Sequence, residues 1–274
     1  MEILELKKHA NNVRHKIIDM VYTAQSGHIG GSLSAVELLT YLYYEVMDIN
    51  NDNVNSLDRD RFVLSKGHAT PVLYGVLDEI GLLNEDIKEF RQINSNLQGH
   101  PNMKSIPAVD MCTGSLGQGF SASVGMALAN KLDNNNHNIY VLVGDGESEE
   151  GIIYEAMMAA SHYHLDNLCM ILDLNHLQID GRIEDVMNPG PHKEKFEAFG
   201  FNVVECDGHD YESIAKCFES FKNTKDRPTA IIAHTIKGKG VSFMEDNYAW
   251  HGVAPKKDEY ELAISEIEKE GEAL

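Results

Sequence analysis

Between residues 139 and 175 the chain reads strand, helix, strand. An apolar run from Ile139 to Val143 leads into Gly144-Asp145-Gly146-Glu147. From Gly151 to about His164, Ile152, Ile153, Ala156, Met157, Ala159 and Ala160 are spaced for a helix packed on a sheet, and a second apolar run ends in Asp173-Leu174-Asn175. This has about the minimum size of a parallel crossover, a right-handed unit whose consecutive strands usually lie side by side. Ligands of such sheets bind beyond the carboxyl ends of the strands, where Asp145 and Asn175 both fall. Neighbouring strands are about 4.8 Å apart, so oxygens from both turns can meet on one octahedral cation at about 2.1 Å. A carboxylate in a phosphate-binding turn repels phosphate, and a divalent cation between Asp145 and a diphosphate turns that repulsion into a bridge. Read alone, the turn can equally be a plain glycine turn whose glutamates favour a helix start. It lacks the third glycine of a dinucleotide fingerprint, no Walker lysine follows, and Glu150 stands where a calcium-binding loop needs glycine.

The rest of the chain repeats the alternation. Helices are predicted at Glu5 to Ala24, at Ser34 to Val46 with Ser32 or Ser34 as N-cap and Glu37 completing a capping box, from Pro71, after Gly119, at Lys193 to Phe199 and at Tyr211 to Asn223. Buried strands are predicted at Arg61 to Ser65, Asn202 to Glu205 and Thr229 to His234. The expected fold is α/β, a doubly wound and mainly parallel sheet flanked by helices, with 274 residues forming one domain. With 23 Lys plus Arg against 43 Asp plus Glu, the formal charge is -20, so neither nucleic acid nor an anionic membrane is an expected partner. Cys112, Cys169, Cys206 and Cys217 form no C-x-x-C pair. The N-terminus has no signal-peptide core, and no apolar run reaches the roughly 18 residues of a membrane span, so a cytoplasmic setting is expected.

His28, His68, His100 and His251 each stand beside a glycine in a predicted loop, and imidazole is suited to moving protons near neutral pH. Any one of them can also be a loop or core histidine bonded to backbone. No pair has zinc-ligand spacing. Gly114 to Gly119 can hold a ligand against bare backbone or simply let a helix start tight against its neighbour. Lys237-Gly238-Lys239-Gly240 can bring cations to a phosphate or be an exposed basic loop.

In order, Ser26-Gly27-His28-x-Gly30, Ser65-Lys66-Gly67-His68-Ala69, Gly99-His100-Pro101, Thr113-Gly114-Ser115-Leu116-Gly117-Gln118-Gly119, Gly144-Asp145-Gly146-Glu147 and Leu177-Gln178-Ile179-Asp180-Gly181 resemble transketolase. The resemblance runs from about residue 10 to 255. It covers the thiamine-diphosphate-binding (PP) domain, so the pyrimidine-binding and C-terminal domains are expected on a partner chain, in a two-plus-two heterotetramer that this chain cannot replace alone.

The resemblance implies thiamine diphosphate as cofactor, with Mg²⁺ (or Ca²⁺ or Mn²⁺) held by Asp145, Asn175 and the carbonyl of Leu177. It implies that Gly146 offers its N–H to the diphosphate, and that His68, Gly114, Ser115, Leu116, Glu147 and Asn175 surround the cofactor. His28 and His251 would handle hydroxyl protons of the substrate, and His100 would contact the donor sugar. Glu150 and Glu155 match acidic positions that link two active sites across a dimer. The implied reaction passes a glycolaldehyde unit from a ketose phosphate to an aldose phosphate, as in the pentose phosphate pathway. The alternatives are a non-catalytic paralogue, a synthase condensing pyruvate with a triose phosphate, and a two-oxoacid dehydrogenase subunit. Asp173-Leu174-Asn175-His176 departs from the commoner second metal motif, and Ser115 stands where many members have proline; neither removes a ligand.

Overall fold

The apolar runs become strands in a computed structural model that describes residues 1–274. The strands are β1 (Arg61–Leu64), β2 (Ile139–Gly144), β3 (Leu168–Leu174), the short antiparallel pair β4 (Leu177–Gln178) and β5 (Gly181–Arg182), β6 (Asn202–Asp207) and β7 (Thr229–His234). The five longer ones form a parallel sheet in the order β1-β2-β3-β7-β6. The helices are α1 (Ile3–Ala24), α2 (Ile29–Leu33), α3 (Val36–Tyr41), α4 (Thr70–Glu79), α5 (Gln118–Leu132), α6 (Gly151–His162), α7 (Ile183–Val186), α8 (His192–Ala198), α9 (Tyr211–Asn223) and α10 (Lys257–Ala273).

Every residue of β2 and β3 is buried, because helices cover both faces of the sheet. Tyr140, Leu142, Cys169 and Ile171 enter the larger core with α1, α3, α4, α9 and α10, whereas Val141, Val143, Met170 and Leu172 enter a second core with α5, α6 and α8. The small residues of α5 let it start close to β1: a Cβ on Gly119 would lie 2.7 Å from Ser65 Cα. The β1 end of the sheet is tied down by a buried bidentate pair, Arg59 Nη2 to Asp110 Oδ1 at 2.7 Å and Arg59 Nη1 to Asp110 Oδ2 at 3.1 Å.

Two local expectations are overturned. The helix expected over residues 34–46 is present from Val36 to Val46, its last five residues widening into a π-helical turn, but no capping box opens it: α2 ends at Leu33 and α3 starts after Ala35. The cap side chains are engaged elsewhere, Ser34 Oγ donating to Asp173 Oδ2 (2.6 Å) and Glu37 accepting from Arg14. Tertiary partners have outcompeted local capping. Strand β6 is half-exposed rather than buried, since it lies at the edge with β7 as its sole neighbour.

Parallel order gathers the strand ends. Lys66 follows β1, Asp145 follows β2, Asp173 and Asn175 flank the end of β3, and Thr235 and Lys237 follow β7. Four adjacent strands thus deliver charge to one edge of the sheet.

Candidate functional site

At that edge Lys66 Nζ lies 2.5 Å from Asp173 Oδ2 and donates to Gly31 O at 2.8 Å. Asp173 also accepts from Ser34 and from Thr235 Oγ1. Burial alone would raise the Asp173 carboxyl, but Lys66 and the two hydroxyls outweigh it and hold it below the ordinary carboxylate value. Asp145 has no such cation. Its Oδ1 accepts from Gly146 N (2.8 Å) and its Oδ2 from His176 N (2.6 Å), while burial and then the Asp173 charge push it up to about 6. Asn175 Oδ1 accepts from Leu177 N at 3.1 Å, and Leu177 O accepts from Lys237 Nζ at 2.8 Å. A carboxylate, an amide oxygen and a main-chain carbonyl on neighbouring loops are hard donors of the kind Mg²⁺, Ca²⁺ and Mn²⁺ take, and the raised Asp145 is a group that a divalent cation would return to its charged form. The residues present fit such an ion.

The phosphate side is less open than the sequence implies. The Glu147 carboxylate is turned into the scaffold, Oε1 accepting from Ser65 Oγ (2.5 Å) and Gly117 N (2.8 Å) and Oε2 from Gly144 N (3.0 Å). It joins three glycine-rich loops. The Gly146 N–H is taken by Asp145 itself.

Three of the four loop histidines form a triangle. Ring centroids are 5.1 Å apart for His28 and His68, 5.3 Å for His28 and His251, and 5.2 Å for His68 and His251. Burial pushes all three down, His28 to about 4, His251 to about 3 and His68 well below the ordinary value, with neighbouring cations adding to it. All are neutral at physiological pH. Lys237 Nζ lies 2.9 Å from His251 Nδ1; an ammonium only donates, so Nδ1 accepts and the ring proton sits on Nε2. His28 Nδ1 is buried without any partner.

These imidazoles share a cavity of about 240 Å³ with Gly114, Leu116, Asp145, Gly146, Asn175 and Leu177. His100 and Ser115 do not line it. His100 is packed across Gly114, where a Cβ would come 3.1 Å from its Cδ2, and faces an adjoining groove with Gly99 and Pro101; Ser115 is exposed. Lys237, read from the sequence as either a phosphate-directed cation or part of an exposed loop, lines the cavity, together with Lys66 and Gln178, for which the sequence indicated no role of their own. Lys237 is 2% exposed, which overturns the exposed-loop alternative for its segment. Burial and the nearby Lys66 charge push it down to about 8. The available signal for Lys66 was its place immediately after a buried strand.

Behind the Lys237 loop lies a second charged group. Glu37 accepts from Arg14 through Oε1, and its Oε2 lies 2.9 Å from His209 Nδ1. Burial pulls Glu37 up, yet Arg14 and His209 hold it at about 2, below its ordinary 4.5. A depressed carboxylate contributes stability that is whole above its unfolded pKa and is lost as pH falls through the folded one, here between about pH 4.5 and 2, on the order of 3 kcal/mol. Urea midpoints measured down that range should therefore fall more steeply for the wild type than for Glu37→Gln. Equal slopes would contradict the assignment.

No helix is long and apolar enough to cross a membrane. Residues 6–269 match the family model described as transketolase, thiamine diphosphate binding domain. One of the subunits of the apulose-4-phosphate transketolase of Phocaeicola vulgatus is 42% identical over 275 residues, covering 100% of this chain and 97% of its own length. A 6-deoxy-6-sulfo-D-fructose transketolase subunit of Clostridium sp. is 40% identical over 269 residues, 98% of each chain. The crystal structure of transketolase from Campylobacter jejuni superposes with a TM-score of 0.91 at 38% identity, over 99% of this chain and 43% of that one.

Proposed function

The chain belongs to the transketolase family, as an N-terminal subunit carrying its thiamine-diphosphate-binding domain, and from that premise we propose that with a divalent metal and a partner chain it transfers glycolaldehyde between sugar phosphates. What carries this reading is the meeting, in one cavity, of three neutral imidazoles with the Asp145, Asn175 and Leu177 oxygens. The three oxygens would hold Mg²⁺, with Ca²⁺ or Mn²⁺ as substitutes, and Lys66 and Lys237 supply positive charge beside the diphosphate. Bound thiamine diphosphate supplies the electron sink for carbon–carbon bond cleavage.

The chain's own part is to bind, orient and move protons. His251, with Nδ1 engaged by Lys237, presents an Nε2–H donor, and the neutral imidazole of His28 stands on the same cavity wall, placed to exchange a proton with a substrate hydroxyl. His68 closes the triangle, and His100 stands at the rim where a sugar enters. Gly114 and Leu116 give the cofactor bare backbone and an apolar contact, and Ser115 lies beyond the cavity at their side.

A cavity of about 240 Å³ is below the roughly 300 Å³ at which small-molecule pockets usually begin, so it houses only one end of the cofactor. The remainder is assigned to a C-terminal subunit with the pyrimidine-binding domain, in a two-plus-two heterotetramer. The exposed Glu150 and Glu155 at the start of α6 face that assembly. Relatives named for apulose 4-phosphate and 6-deoxy-6-sulfo-D-fructose extend the candidate substrates beyond pentose phosphates to other sugars carrying an anionic group. The four cysteines are unpaired, which suits a reducing, cytoplasmic setting. Mixed with its partner, Mg²⁺ and thiamine diphosphate, the chain should convert a ketose phosphate and an aldose phosphate into the exchanged pair in a coupled assay. Turnover by this chain without the partner would overturn the scheme.

A further inference from the structure

Lys237 is desolvated, and the segment that carries it, 235–246, contains neither helix nor strand. Its ammonium nevertheless has a defined aim, at Leu177 O (2.8 Å) and His251 Nδ1 (2.9 Å). Two side chains hold the backbone on either side of it. His209 Nε2 accepts from Ile236 N at 2.9 Å, one residue before Lys237, and Arg14 Nε donates to Lys239 O at 3.2 Å, two residues after. Both side chains converge on Glu37, His209 through Nδ1 (2.9 Å) and Arg14 through Nη2. None of the three lines the cofactor cavity. They border a separate hollow of about 450 Å³ on the other side of the loop.

The hydrogen-bond roles leave one arrangement. A backbone N–H only donates, so His209 Nε2 must offer its lone pair to Ile236, and the ring proton lies on Nδ1, directed at the Glu37 carboxylate. Turning the ring over would break both bonds. The turn that presents His209 is itself tight against the same segment: Gly208 N donates to His234 O (2.8 Å), and a Cβ on Gly208 would lie 2.5 Å from Thr235 Cγ2.

We propose that His209 is a positioning residue: held by Glu37, it fixes the main chain at Ile236 and so aims the Lys237 ammonium at the metal and diphosphate end of the site. This rests on the reading of that cavity as the thiamine diphosphate site. His209 touches neither cofactor nor substrate and acts through Lys237.

Two substitutions separate the two ring nitrogens. In His209→Gln the longer side chain can bring its carbonyl to the Nε2 position and keep the Ile236 bond. In His209→Asn the shorter amide reaches only the Nδ1 position and serves Glu37. Thiamine diphosphate binding is measured by calorimetry at saturating Mg²⁺ on the chain assembled with its partner. It should weaken about tenfold in His209→Asn, the scale of one hydrogen bond to a charged group, and stay within about twofold of wild type in His209→Gln. In a Lys237→Met background the Asn substitution should add nothing. Unchanged binding in His209→Asn, equal losses in both variants, or a loss that persists without Lys237 would each overturn the proposal. A wild-type assembly that binds no thiamine diphosphate would instead overturn the functional reading on which it stands.

Discussion

Asp145→Ala should lose two to three orders of magnitude in thiamine diphosphate affinity at millimolar Mg²⁺, measured by calorimetry or by quenching of the Trp250 fluorescence. Asp145 is 3% exposed and raised to about 6 by burial and by Asp173, so in a charged form it is an anion in want of a cation. It is also the one carboxylate in the oxygen set; Asn175 and Leu177 contribute neutral oxygens. Removing it leaves a divalent ion facing two dipoles, and breaking a buried charge pair costs about 3–5 kcal/mol. The same change should leave the fold intact, because Gly146 N and His176 N sit in loops that can take water as a partner. Wild-type affinity in Asp145→Ala would remove the metal from the scheme.

Lys66→Met should be the most damaging single change to stability at this edge of the sheet, about 3–5 kcal/mol by urea denaturation, or roughly 10 °C in a chain of this size. The Lys66 and Asp173 side chains are 2% and 0% exposed, and the Asp173 charge is held chiefly by that ammonium. Without it Asp173 must either stay ionised in an apolar setting beside Asp145 or take up a proton. Lys66→Met/Asp173→Leu should recover part of the loss, since a buried ion pair can be exchanged for apolar groups of similar volume. Ser34 Oγ, deprived of its acceptor, has Gly31 O at 3.2 Å to turn to. A Lys66→Met variant within about 1 kcal/mol of wild type would show that Asp173 is compensated some other way.

Lys66 and Asp173 are 107 residues apart, and that distance explains what the sequence displayed and what it hid. Period and apolar runs are local, and they revealed the parallel strands, the crossover helix α6 and the place of Asp145 and Asn175 at adjacent strand ends. Counter-ion choice is not local. Nothing near Asp173 indicates that its cation comes from β1, or that Ser34 and Thr235 complete its shell. The same blindness produced the mistaken capping box at Ser34 and Glu37, whose polar side chains matched a local rule while tertiary partners claimed them. Lys237 misled for the opposite reason: flanking glycines and a second lysine look like a solvated loop, and only the packing of α1, α2 and the 250 region around it makes it buried. The glycine-flanked histidines declared themselves by shared context, but which three would touch was decided by loops from four parts of the chain. Glu147 belongs to the same motif as Asp145, yet its carboxylate braces Gly117 and Ser65, a role that no spacing encodes.

The two rims of the sheet govern how this protein can associate. A long, flat, exposed strand is a template for further strands. At one rim β1 has four residues and begins with Arg61, whose guanidinium is tied to Asp110. At the other, β6 carries Glu205 in an ion pair with Lys193 (2.9 Å) and in contact with His234 Nε2 (3.0 Å). Neither rim invites a neighbouring chain to continue the hydrogen-bond ladder. Growth by sheet extension, the route to fibres, is therefore disfavoured at both ends.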